Sequence, residues 1–249
     1  MMNSILLSEG VTDYVLLQIY MCESNGWVDD KTLQSSALKN PGQKSRILKK
    51  DNNQLTIMTT GGCSRIPEAL DLILLRIKNA APPFNEAYKK IAIVTDNDET
   101  GTKADTINMI KTKMLEYNVV INETIQDRKW ISCKVRNAVN IDYEFKILLL
   151  IIPFTHQGAM ETFLLDAISA NDPYDASIIN ECRRFVSTAD PDSRYLKKRR
   201  DKIKAEFTSY FCIRTPAEAY QERNSLMKTG IRWSDYNQIQ QDFSLLADL

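Results

Sequence analysis

Three short apolar runs constrain the fold more than any other feature of the chain: "SILLSEG" (Ser4 to Gly10), "QLTIMTTGG" (Gln54 to Gly62) and "KIAIVTD" (Lys90 to Asp96). Each stops abruptly at an acid or a glycine, and each is followed by helical spacing. After the first, Val15, Leu16, Ile19 and Tyr20 fall on one helical face. After the second, "IPEALDLILLRIKNA" puts Pro67 in a helix's first turn. After the third, the pattern predicts a helix from about Gly101 to Tyr117. Strands this continuously apolar are buried on both faces, and alternating helices cover those faces through right-handed crossovers. The prediction is an α/β fold, with a mostly parallel, Rossmann-like sheet flanked by helices. A hydrophobic content of 43% over 249 residues suits a core of that size.

The other segments fill in the plan. "VVINETI" and "KWISCKV" read as a further strand pair near a sheet edge, because polar residues interrupt them. "FKILLLIIPF" reads as another central strand. Residues 24–54 are polar and read as a loop, with a turn at "NPGQKS" and a short helix near Lys31 to Leu38. Beyond "GAMETFLLDAIS" the pattern predicts helices over 159–169, 175–187, 194–211 and 216–228, and a last segment near 234–247. "ANDPYDAS" reads as a loop between two of them. Residues 1–155 are thus expected to form the α/β core, with 156–249 a mainly helical portion packed on it as one compact unit.

Thirty-two basic and thirty-two acidic residues cancel, so any attraction to a polyanion must be local. The five cysteines form no C-x-x-C pair, and His156 is the single histidine, which argues against structural zinc and for a reducing compartment. The first residues carry no charged n-region, and the longest apolar run breaks at Pro153. The expectation is a soluble cytoplasmic protein without membrane contact. One histidine gives no basis for a Ser-His-Asp triad. No G-x-x-x-x-G-K-[ST] loop occurs, so an ATPase would be a separate partner.

The acids at the strand ends carry the functional reading. In an open parallel sheet, ligands bind beyond the carboxyl ends of the strands. Glu9 ends the first apolar run, and Asp96 and Asp98 end the third. Gathering like charges raises their pKa values unless a cation offsets them, and an oxygen-only set suits magnesium or manganese. Asp13 lies one helical turn beyond Glu9 and can reach the same space. Glu161, after the last apolar strand, is a candidate further ligand. Gly101 opens a helix whose N-terminus favours an anion. The plainer alternative makes the D-x-D pair a surface turn and Glu161 an ordinary acid at a helix start. Further on, "RYLKKRRDKIK" carries seven cations against one acid. It reads either as a solvated face opposite Leu196, Ile203 and Phe207 or as a phosphate-contacting stripe. His156 precedes Gly158 and reads as a hydrogen-bonded loop residue or a member of the site.

"LLSEGVTD" resembles the E-G-x-x-D opening of Toprim domains, the catalytic fold of topoisomerases, bacterial primases and overcoming-lysogenization-defect nucleases. "TDNDETG" is similar to their D-x-D-x-x-G motif, and "TTGG" falls where those domains place a glycine after the second strand. The resemblance covers about residues 3–118. It implies a magnesium- or manganese-dependent phosphodiester-cleaving enzyme acting on DNA or RNA. Glu9 would be metal ligand or acid/base, Asp96 and Asp98 metal ligands, and Asp13 a supporting acid. It departs at Val11, where many nuclease-like members carry lysine. "HQGAMETFLLDAI", "KKRRDKIKAEFTSYF" and "FSLLADL" resemble a small stand-alone prokaryotic Toprim-like family with a helical C-terminal portion. In that resemblance Lys202 and Lys204 best match the basic helix. Two other functions stay open: a non-catalytic module binding nucleotide, nucleic acid or a partner protein beside an ATPase in phage defence, and a phosphoacceptor receiver domain.

Overall fold

In the computed structural model, residues 2–30, 32, 44–84, 87–216 and 231–249 are described. An eight-stranded sheet runs through the molecule in the order β2-β3-β4-β1-β5-β8-β7-β6. Its strands are β1 (Asn3–Ser8), β2 (Val28–Asp29), β3 (Ser45–Lys50), β4 (Asn53–Thr59), β5 (Tyr88–Asp96), β6 (Val120–Ile121), β7 (Trp130–Arg136) and β8 (Asp142–Ile152). The four central strands, β4, β1, β5 and β8, are mutually parallel, and the pairs outside them are antiparallel. The fold is α/β, with its parallel part where the sequence is most continuously apolar.

Alternation along those strands sends side chains to two cores. Leu6, Ala92, Val94, Leu148 and Leu150 join one core, and Ile5, Leu7, Ile91, Ile93 and Ile147 join the other. The second is closed by α2 (Ile66–Asn79) and α3 (Thr102–Glu116), through Leu70, Ile73, Ile110 and Met114. The first is closed by α1 (Val11–Asn25), α4 (Met160–Asn171), α5 (Pro173–Ala189), α6 (Arg199–Arg214) and the terminal turns. Phe163 and Trp233 are fully buried there, so truncating Phe163 to alanine costs about 3–5 kcal/mol. Residues before and after position 155 therefore share one core.

Two departures from the sequence reading have physical causes. The polar segment 24–54 contributes β2 and β3, where Arg46 pairs with Asp29 and Lys49 with Asp30 at the sheet's edge. Such edge strands need no apolar run, since charged residues protect an unpaired edge. The helix expected from 194 starts at Arg199. Asp190 accepts hydrogen bonds from the backbone N–H groups of Arg194, Tyr195 and Leu196, holding them in a turn, and Asp201 accepts from the Lys198 N–H at 3.0 Å to begin the helix. The segments 33–38 and 217–228, where helices are also predicted, lie outside the described residues. "ANDPYDAS" is a tight junction: Asp172 separates α4 from α5 and accepts from the Tyr174 N–H at 2.8 Å. The last predicted segment is a short helix, Asn237–Asp242, between 3-10 turns. Among the described residues no helix is long and apolar enough to cross a membrane.

Candidate metal and phosphate site

The site begins where β1 ends. Gly61 and Gly62, with φ of 84° and 132°, adopt backbone that L side chains rarely take, and both donate their N–H groups to the Glu9 carbonyl at 3.1 Å. That pair of bonds ties the β4 exit beneath Glu9. The Glu9 side chain then reaches sideways to β5, where its Oε2 accepts from Thr95 Oγ1 at 2.9 Å and from the Asp96 N–H at 3.3 Å. Asp96, the last residue of β5, accepts from the Met160 N–H through Oδ1 at 3.0 Å, which joins the strand end to the start of α4. Asp13 accepts from the Gly10 N–H at 2.8 Å and is 4% exposed.

These contacts assemble a carboxylate cluster. Glu9, Asp96 and Asp98 each place an oxygen within 4.8 Å of the others'. With Asp13 and Glu161 they line an open cleft of about 650 Å³. Burial, then the charges of Asp13, Glu9, Asp98 and Glu161, push the Asp96 carboxyl well above its usual range. Burial likewise raises Asp13 from 3.8 to about 7, helped by Glu161 and Glu9 and opposed by the Gly10 N–H. Among the described residues, no lysine or arginine forms a salt bridge with Glu9, Asp13 or Asp96, and Arg199 stands 3.9 Å from Asp98.

Other candidates divide by position. Lys204 lines the cleft, together with Arg200 from the same basic stretch and Lys44, a cation that sequence reasoning missed. Lys202 does not line it; its charge acts on Asp190 and Glu206 instead. Helical period explains the split, because Arg200 and Lys204 lie four residues apart on one face while Lys202 turns away. This spacing was present in the sequence. Lys44 had no such signal, since it precedes an unrecognised edge strand. His156 turns from the cleft: its Nε2 is 3.0 Å from Asp166 Oδ2. Val11, 40% exposed, opens α1 at the cleft wall.

Asn97, buried between the two aspartates, is the other residue missed. Its side-chain amide donates to the carbonyls of Pro153 and His156 at 3.1 and 2.8 Å. Its backbone donates to the Ile152 carbonyl at 2.6 Å and accepts from the Gly158 N–H at 2.9 Å. Four bonds thus fix the link between Asp96 and Asp98. Gly158 must stay small, because a Cβ there would lie 2.8 Å from Pro153 Cγ and Thr162 Cβ.

Residues 3–240 match a family described as a protein of unknown function, DUF3226. The chain belongs to the DUF3226 family. The match spans strands, acid cluster and basic helix alike, so the site is assembled wholly within the DUF3226 region. The hypothetical protein PH0156 from Pyrococcus horikoshii OT3 has a similar structure, at 15% identity and a TM-score of 0.54, with 99% of this chain and 100% of that one covered. At that identity the likeness concerns the fold alone. A protein from Bacillus anthracis described as glyoxalase-family aligns over 59% of this chain and 94% of its own at 13% identity, but a TM-score of 0.20 carries no argument. No curated protein matches the chain.

Proposed function

We propose that this DUF3226 chain is a Toprim-type, divalent-metal-dependent enzyme that cleaves phosphodiester bonds in DNA or RNA. The carrying observation is the gathering of Glu9, Asp96 and Asp98 within 4.8 Å, in a cleft that also presents Lys44, Arg200 and Lys204. The residues fit magnesium or manganese. All donors are oxygens, and Glu9 and Asp96 each commit one oxygen to the fold while the other remains available. Burying like-charged acids side by side is costly unless an ion offsets them.

Glu9, Asp96 and Asp98 would hold the ion, with Glu161 beside them at the start of α4. A divalent ion there supplies Lewis-acid polarisation of a phosphoryl oxygen and lowers the pKa of a bound water. Asp13, whose Oδ2 accepts from the Gly10 N–H, is raised by burial to about 7, so in the absence of an ion it exchanges a proton near neutral pH beside the cluster. Arg200 and Lys204 orient a phosphate from α6, and Lys44 does so from the β3 side of the sheet.

Labelled single- and double-stranded DNA and RNA, incubated with magnesium or manganese, provide the test. Cleavage should appear, vanish with a chelator, and fall about 10²–10⁴-fold in Glu9→Gln. A second reading, a non-catalytic binding module, is favoured by the exposed apolar Val11 at the cleft wall. Protein that binds the ion yet leaves every nucleic acid intact would select it.

A further inference from the structure

The basic stretch at α6 does more than border the acid cleft. A second cavity of about 630 Å³ adjoins it, lined by Asp98, Glu99, Thr100, Gln157, Lys198, Arg199 and Arg200. Asp98 and Arg200 line both cavities, so the two adjoin at these residues and together make a two-part groove. The cations divide along it: Lys204 and Lys44 face the acids, Arg200 stands at the junction, and Lys198 and Arg199 face the second cavity.

The second cavity is also built to keep Arg199 in place. Thr100 Oγ1 accepts from Gln157 Nε2 at 2.7 Å, Gln157 Oε1 accepts from Arg199 at 3.2 Å, and Asp98 lies 3.9 Å from the same guanidinium. An arginine oriented in this way keeps donors for an incoming oxygen anion, because its fork carries five N–H groups. Each cavity is large enough for a nucleotide-sized group.

We propose that Lys198 and Arg199 form a second phosphate subsite, and that the groove takes a single-stranded phosphodiester chain with one phosphate over the acid cluster and its neighbour on this pair. This rests on the phosphodiester reading above and deepens it. A mononucleotide would occupy the acid cleft alone. Two phosphates in a chain explain why cations continue past Arg200 to Lys198 and Arg199, of which Arg199 also stands 3.9 Å from Asp98.

The test uses full-length protein with magnesium and Glu9→Gln to suppress turnover, and reads fluorescence anisotropy of a short labelled single strand across salt concentrations. Lys198→Ala with Arg199→Ala should weaken strand binding and flatten the log–log salt slope by about 0.7 for each phosphate no longer neutralised. The same change should leave binding of a nucleoside 5′-monophosphate and the melting temperature unaltered. Arg199→Lys should recover part of the slope. Strand affinity and slope that do not change in the double variant would overturn the subsite, even if the wild-type protein cleaves nucleic acid. A nucleoside triphosphate that displaces the strand, and depends on Lys198 and Arg199 to the same extent, would also overturn it by assigning the subsite to a free polyphosphate. Conversely, a strand held through Lys198 and Arg199 but never cut would leave the subsite standing and remove the nuclease reading.

Discussion

The two ends of β8 present acids in opposite circumstances. At its start, Asp142 sits 2.8 Å from both Arg136 Nε and Lys134 Nζ, across the β7 strand. Those cations pull its carboxyl down to about 2. At the far end, Ile152 pairs with Asp96, whose carboxyl is pushed up by burial and by four other acids. One residue type is thus placed for pairing in the hairpin and against its own ionisation in the cleft. Exposed pairs such as the first contribute little to stability. Buried acids that repel one another lower it, so their assembly points to something other than holding the fold together.

The largest expected effect concerns pH. The folded chain retains a proton on Asp13 that the unfolded chain releases near 3.8, so stability must fall as pH rises from about 4 through about 7. The move from 3.8 to about 7 corresponds to on the order of 4 kcal/mol. Denaturant unfolding of the metal-free protein at pH 5 and pH 8 measures roughly 60% of it, since the decline begins near pH 4. Asp13→Asn should flatten the decline, whereas Asp142→Asn should leave it unchanged. A wild-type stability that rises over this interval would break the comparison.

Gly158→Ala is next. The added methyl meets Pro153 and Thr162 at 2.8 Å and should cost about 1–3 kcal/mol, with metal affinity reduced because Gly158 bonds Asn97. Thermal melting and metal titration check the two parts. Lys204→Ala comes last in stability, within about 0.5 kcal/mol of wild type because the side chain is exposed. It should nonetheless weaken phosphate competition for the cleft, which the hairpin change Lys134→Ala should not.

The acids of this site were legible from strand ends because burial leaves a continuous apolar signature that stops where the strand emerges. Glu9, Asp96 and Asp98 stand at such stops, and "TTGG" marks the backbone that ties β4 to Glu9. The edge strands β2 and β3 carry no such signature, and Lys44 was hidden with them. The polar start of β8 alternates, Tyr143 and Phe145 inward and Asp142, Glu144 and Lys146 outward, so only its apolar half stood out. Asn97 was overlooked between two acids because its role lies in bonds to residues more than fifty positions away. For the α6 cations, residue types indicated a basic helix, and only helical phase separates Arg200 and Lys204 from Lys202.

Anomalous scattering from a crystal of the wild-type protein equilibrated with manganese tests the central claim most directly. The expected result is a peak bounded by the carboxylates of Glu9, Asp96 and Asp98 that disappears in Asp96→Asn. An ordered cluster with no manganese at saturating concentration, its acids held together by protonation alone, would contradict the account.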